Sequence, residues 1–207
     1  ITNTGALIIT GASTFIVGTT TSNIVLDHAS NAFSNSVTMK AGTSGNLAFG
    51  NIGFVDSGPV KIETFANTDA DGELLIDGST DGAVGGTLSI TATTGDITQG
   101  SIALAVTGAT TLVTSADDAD INLSNASNKF TGALTITTNG TTGNATISAG
   151  SAAGLIFAAS TIDGNFSATA TNGNITQTGA LAITGTTTLV TSENNATITL
   201  ETSTNKF

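Results

Sequence analysis

Short runs along the chain alternate apolar and polar residues with a period of two. In TLSITAT, Leu88, Ile90 and Ala92 fall on one side and Thr87, Ser89, Thr91 and Thr93 on the other. The same alternation groups Ile102, Leu104 and Val106, then Ile121 with Leu123, Leu134 with Ile136, Leu181 with Ile183, and Ile198 with Leu200. An aliphatic side backed by a Thr/Ser side predicts half-buried strands. The stretches between them, such as TNG, TTGN, SAG and NGN, carry turn chemistry, because Gly and Asn accept tight corners. No segment places apolar residues at helical spacing, so the predicted class is all-β with no significant helix.

The strands belong to a long repeat. ITNTGALIITG from Ile1, ITQGSIALAVTG from Ile97 and ITQTGALAITG from Ile175 are versions of one phrase. Ile1–Phe33 aligns without a gap to Ile175–Phe207, and TLVTSADDADINLSNASNKF (Thr111–Phe130) aligns to TLVTSENNATITLETSTNKF (Thr188–Phe207). These boundaries divide residues 1–207, one continuous segment, into units 1–96, 97–174 and a partial 175–207. The first unit is longer than the second by about what one extra coil needs. Self-similarity of this kind marks stacked repeats, whose units bury their apolar faces against neighbours. Coils of roughly 20 residues predict a solenoid of about ten coils, a rod roughly 50 Å long at the spacing of strands in a sheet.

The three phrases end in SNAF, SNKF and TNKF, which places Asn31, Asn128 and Asn205 two residues before Phe33, Phe130 and Phe207. Asn suits a left-handed corner and can hydrogen-bond along a stack, while Phe fills the interior behind it. The six residues are therefore expected to form a structural ladder of corner brackets.

GDITQGSIALAVTG, GNITQTGALAITGTTTLVTS and NASNKFTGALTIT resemble repeats of filamentous-haemagglutinin-like exoproteins, the large adhesins of two-partner secretion. The resemblance covers most of the chain and implies a right-handed parallel β-helix, export to the bacterial cell surface and a role as an adhesin shaft. The chain departs from that family in showing no secretion domain. Opening on Ile1 without Met, it reads as a processed piece or a fragment of something longer.

Composition limits the chemistry. Only 9% of residues are charged, against roughly 25% in typical domains, and the net charge is −11 with four Lys and no Arg. Such a surface repels nucleic acid and anionic lipid. The apolar run AAGLIFAA is too short to insert in a membrane. With no Cys and a single His, zinc sites and thiol nucleophiles are excluded. His28 beside Asp27, near Ser30 and Ser34, reads as a surface histidine on a strand flank, not as part of a triad. Asp117, Asp118 and Asp120 of ADDAD align with Asn194, Asn195 and Thr197, which argues for a solvated loop over a catalytic pair. No catalytic residue is assigned and the chain is expected to be no enzyme. NTDADGELLIDGSTDG offers Asp69, Asp71, Asp77 and Asp81 as calcium candidates, since hard cations want converging oxygens, but it lacks an EF-hand's terminal Glu and any GGxGxD pattern. No cofactor beyond that calcium is expected.

The expected function is a rigid shaft or filament-forming segment of a large extracellular adhesin-like protein. Its expected partners are neighbouring repeats, end-to-end copies and a host or neighbouring-cell surface. A calcium-dependent surface-layer protein and a carbohydrate-active β-helix enzyme are the alternatives.

Overall fold

The computed structural model describes residues 1–42, 49–63, 73–77, 83–101 and 103–207. It is a parallel β-solenoid of about seven turns, with no helix among the described residues. Every strand pair within it is parallel. The rungs form a nine-stranded sheet, from Ser13–Val17 to Thr187–Thr191, a 13-stranded sheet that wraps the remaining sides, and a short pair, Ile8–Ile9 with Ala32–Phe33.

The number of turns is lower than ten because each turn is longer than the strand periodicity suggests. Leu104 and its rung-mate Asn128, like Asp96 and Asp120, are 24 residues apart, and Asn144 and Asn165 are 21 apart. One turn is longer still: Ile52 pairs with Leu88. At about 4.8 Å per rung, seven turns rise roughly 34 Å, well short of the expected rod.

That long turn contains a strand out of order. Along the nine-stranded sheet, Glu73–Asp77 lies between Val37–Ala41 and Val60–Glu63, although it follows both in the chain. The register sets Lys40 opposite Asp77 and Lys61 opposite Glu73.

Period-two alternation builds the core. Leu88, Ile90 and Ala92 are buried, while Ser89 and Thr91 face out. Inward residues of successive turns stack into one cluster that runs from Val17 to Ile183. Where volumes change, neighbours compensate. Ala145 sits in register with Phe166, and the Phe166 ring meets Phe157 edge-on at 5.1 Å. Gly86 and Gly108 are consecutive rungs of one corner, with the Gly108 N–H donating to Gly86 O at 2.8 Å. A Cβ on Gly108 would lie 2.6 Å from that oxygen, so only glycine lets the two turns close.

The repeated phrases do not stack on one another. Thr110–Asp117 lies in the 13-stranded sheet, whereas its sequence counterpart Thr187–Thr191 lies in the nine-stranded one. The repeat unit is not a whole number of turns, so the second copy of the phrase starts at a different place around the solenoid from the first and third, whose Ser13–Val17 and Thr187–Thr191 both lie in the nine-stranded sheet.

Candidate functional site

Two sets of side chains knit the turns together, and Asp120 of ADDAD is among them. The first set is the Asn of the phrase endings. Asn128 is fully buried. Its Oδ1 accepts from the backbone N of Leu104 at 2.8 Å and from Gln99 Nε2 at 2.7 Å. Its Nδ2 donates to Gln99 Oε1 at 3.0 Å and to Ser148 O, in the following turn, at 3.1 Å. Asn205 repeats the arrangement with Leu181 N at 2.9 Å and Gln177 at 2.8 Å in both directions. Asn31 Oδ1 likewise accepts from Leu7 N at 2.9 Å and Asn3 Nδ2 at 2.8 Å, but its own Nδ2 donates to Leu26 O at 3.0 Å, so this pair is one-way.

The phrase is thus the two halves of a clasp. The amide in ITN or ITQ and the Leu that follows lie in one turn, and the Asn of SNAF, SNKF or TNKF lies in the next. The three clasps lie on turns well apart along the solenoid and do not form one ladder. Phe33 stacks on Phe54 with centroids 5.2 Å apart, and Phe130 is fully buried. Phe207, on the last turn, is 62% exposed.

None of these asparagines is left-handed. Positive φ falls ten residues earlier in every phrase, at Thr21 (59°), Asp118 (63°) and Asn195 (65°). Three residue types share the corner, so no single letter marked it.

The second set is a ladder that strand alternation does not reveal. Asp96 Oδ1 accepts the N–H of Asp120, Asp120 Oδ1 that of Asn144, Asn144 Oδ1 that of Asn165, and Asn165 Oδ1 that of Thr186, all at 2.7–2.8 Å. Each residue stands just before a strand of the nine-stranded sheet and caps a backbone donor of the next turn. The available signal was a small residue, Asp or Asn, an apolar residue and then a polar one: GDIT, ADIN, GNAT, GNFS. Acid and amide differ in charge but offer the same acceptor oxygen, which hides the equivalence.

Two of the three ADDAD acids are accordingly scaffold groups. Asp120 belongs to the ladder, and Asp118 Oδ1 accepts from the backbone N–H groups of Thr141 at 2.8 Å and Thr142 at 2.9 Å. Those bonds hold the Asp118 carboxyl below the ordinary 3.8. His28 Nδ1 accepts from Ser30 N at 3.1 Å, so its ring serves a local turn.

Of the calcium candidates, Asp69, Asp71 and Asp81 lie outside the described residues, and Asp77 is known only by its register position opposite Lys40. Among the described residues no group of three or more His, Cys, Asp or Glu converges to hold a metal, and no helix is long and apolar enough to cross a membrane.

A turn-to-turn clasp repeated three times is the signature of a repeat family. Residues 1–40, 64–137 and 142–207 match the family described as repeats of unknown function (DUF5649). The chain belongs to this family. The match leaves out 41–63, about one turn in length, which carries Phe49–Asp56 and Val60–Glu63. Those two strands lie in the stretch that makes the first unit the longer one. No curated protein and no solved structure matches the chain significantly. For a DUF5649 repeat, the clasp and the ladder are what this chain's sequence is arranged to build.

Proposed function

We infer that this chain is a non-catalytic structural segment of a large bacterial surface protein of the filamentous-haemagglutinin-like kind. It acts as a stiff shaft whose turns wind right-handed. The observation that carries this reading is the unbroken relay from Asp96 to Thr186, in which each turn is hydrogen-bonded by side chains to the next. Rigidity in such a stack is a sum of nearest-neighbour terms, so adding turns adds length without new chemistry. Two of the three ADDAD carboxylates, Asp118 and Asp120, are committed to backbone donors, which supports the absence of turnover.

The end turns present Ile8 and Ile16 at one end and Ile198 and Phe207 at the other. These are apolar surfaces that a neighbouring repeat would cover, and the unpaired strand edges beside them invite the same partner. Immunogold labelling of intact producing cells, with electron micrographs of the shed protein, tests the reading. Label on thin rods projecting from the surface is expected; label confined to the cell interior, or compact particles, would overturn it.

A further inference from the structure

The outer face of the nine-stranded sheet carries no charge over its later turns. Its outward positions run Thr98, Asn122, Thr146, Ser167, Thr188 along one row and Ser148, Thr169, Val190 along the next. In a chain of net charge −11 this segregation is marked: Asp120 and Asp96 hold the ladder positions one and two rungs before Asn144, and Asp118, Asp163 and Glu193 lie between strands.

A shallow open groove of about 360 Å³ indents this face across three successive turns. It is lined by Asn144, Thr146, Asn165, Ser167, Thr186 and Thr188, with the strand at the buried Ala145 and Phe166 as its floor. That volume is in the range of small-ligand sites. The ladder orients its amide: Asn165 Oδ1 is bound to the N–H of Thr186 at 2.8 Å, which leaves Nδ2 as an unengaged donor. Among the described residues, the hydroxyls of Thr146, Ser167, Thr186 and Thr188 make no bond within the protein. The groove therefore offers a fixed amide donor and four hydroxyls that both donate and accept. It has no cation for an anion and no exposed aromatic ring.

We propose that this groove binds a neutral polysaccharide, laid along the solenoid axis. Uncharged polyols present the complementary mixture of donors and acceptors. The open floor admits an extended chain, and rungs at about 4.8 Å repeat at close to the length of one hexose. Acidic polymers are repelled by the corner carboxylates. With no aromatic platform, each sugar binds weakly and strength comes from many contacts along one polymer. The groove is independent of the shaft reading: surface rods without glycan binding would remove the groove alone.

The chain supplies its own conservative test. Asp96 and Asp120 fill the ladder position as well as Asn does, so Asn165→Asp keeps the acceptor while turning the outward donor into a carboxylate. Asn174→Asp is the control, because Asn174 Oδ1 caps Thr197 N in the same way at 2.8 Å but away from the groove. Native affinity electrophoresis is run in gels containing hydroxyethyl cellulose, galactomannan, xyloglucan, dextran, or the acidic polymers alginate and polygalacturonate. The expected result is retardation of the native chain and N174D by at least one neutral polymer, with at least a tenfold weaker effect on N165D. Retardation by no neutral polymer, by the acidic polymers alone, or equally for N165D would overturn the proposal.

Discussion

Gln99 and Asn128, 29 residues apart in sequence, face each other as a reciprocal amide pair, each donating to the other's oxygen at 2.7 and 3.0 Å. Removing the Asn side chain leaves the Leu104 N–H buried without its acceptor. Stranding a buried polar group costs about 1–3 kcal/mol, so Asn128→Ala is expected to lower stability by about 3 kcal/mol. Asn205→Ala, in the half-buried last turn, should cost less than half of that. Urea denaturation of the two variants gives the comparison.

Thr110 is fully buried at the start of its strand, and its hydroxyl has no partner. Its counterparts Ser13 and Thr187 are unpartnered as well. Thr110→Val keeps the β-branched shape and removes a desolvated hydroxyl, so it should stabilise the protein by about 1 kcal/mol. A fall in the denaturation midpoint would mean that the hydroxyl is bonded in solution.

Thr21 holds φ at 59°, where a β-branched residue is strained, while Asn195 holds the equivalent corner with a residue that tolerates it. Thr21→Asn should raise stability by about 0.5–1 kcal/mol, read as a higher melting temperature. The reverse change, Asn195→Thr, should lower it.

Asp118 makes stability depend on pH with a defined sign. Its carboxyl is held below 3.8 by the N–H groups of Thr141 and Thr142, so the folded state favours the ionised form. The stability this contributes is present above about pH 4 and is lost as pH falls through the lower folded value. Asp118→Asn keeps an acceptor oxygen and the left-handed corner but does not titrate. The gap in urea midpoint between native chain and variant should therefore narrow between pH 5 and pH 2. A carbon-13 titration of the Asp118 carboxyl should show a midpoint below 3.8.

How much of this was legible in the sequence follows from what each feature depends on. Strand alternation depends on neighbours in sequence, so Leu134 with Ile136 and Ile121 with Leu123 are buried where the pattern put them. Turn length depends on corners: turns of 21 and 24 residues stand beside the longer one from Ile52 to Leu88, and strand spacing alone predicts too many turns for that reason. The Asn endings stood out because they recur unchanged, but their partners Asn3, Gln99 and Gln177 differ in length and sit 28 or 29 residues away. The strand Glu73–Asp77 could not be placed from the sequence, since only pairing reveals that Lys40 and Lys61 flank it.

The central claim is that successive turns stack in parallel register along one axis. With no native Cys, spin labels can be attached at chosen rungs, and Thr98, Asn122, Thr146, Ser167 and Thr188 are consecutive rungs of one row. Pulsed electron paramagnetic resonance on the pair Thr98→Cys and Thr188→Cys should give a narrow distribution centred near 19 Å, four rungs at about 4.8 Å. The pair Thr98→Cys and Ser167→Cys should come out one rung shorter. A broad distribution, or a distance that does not grow with rung number, would contradict the account.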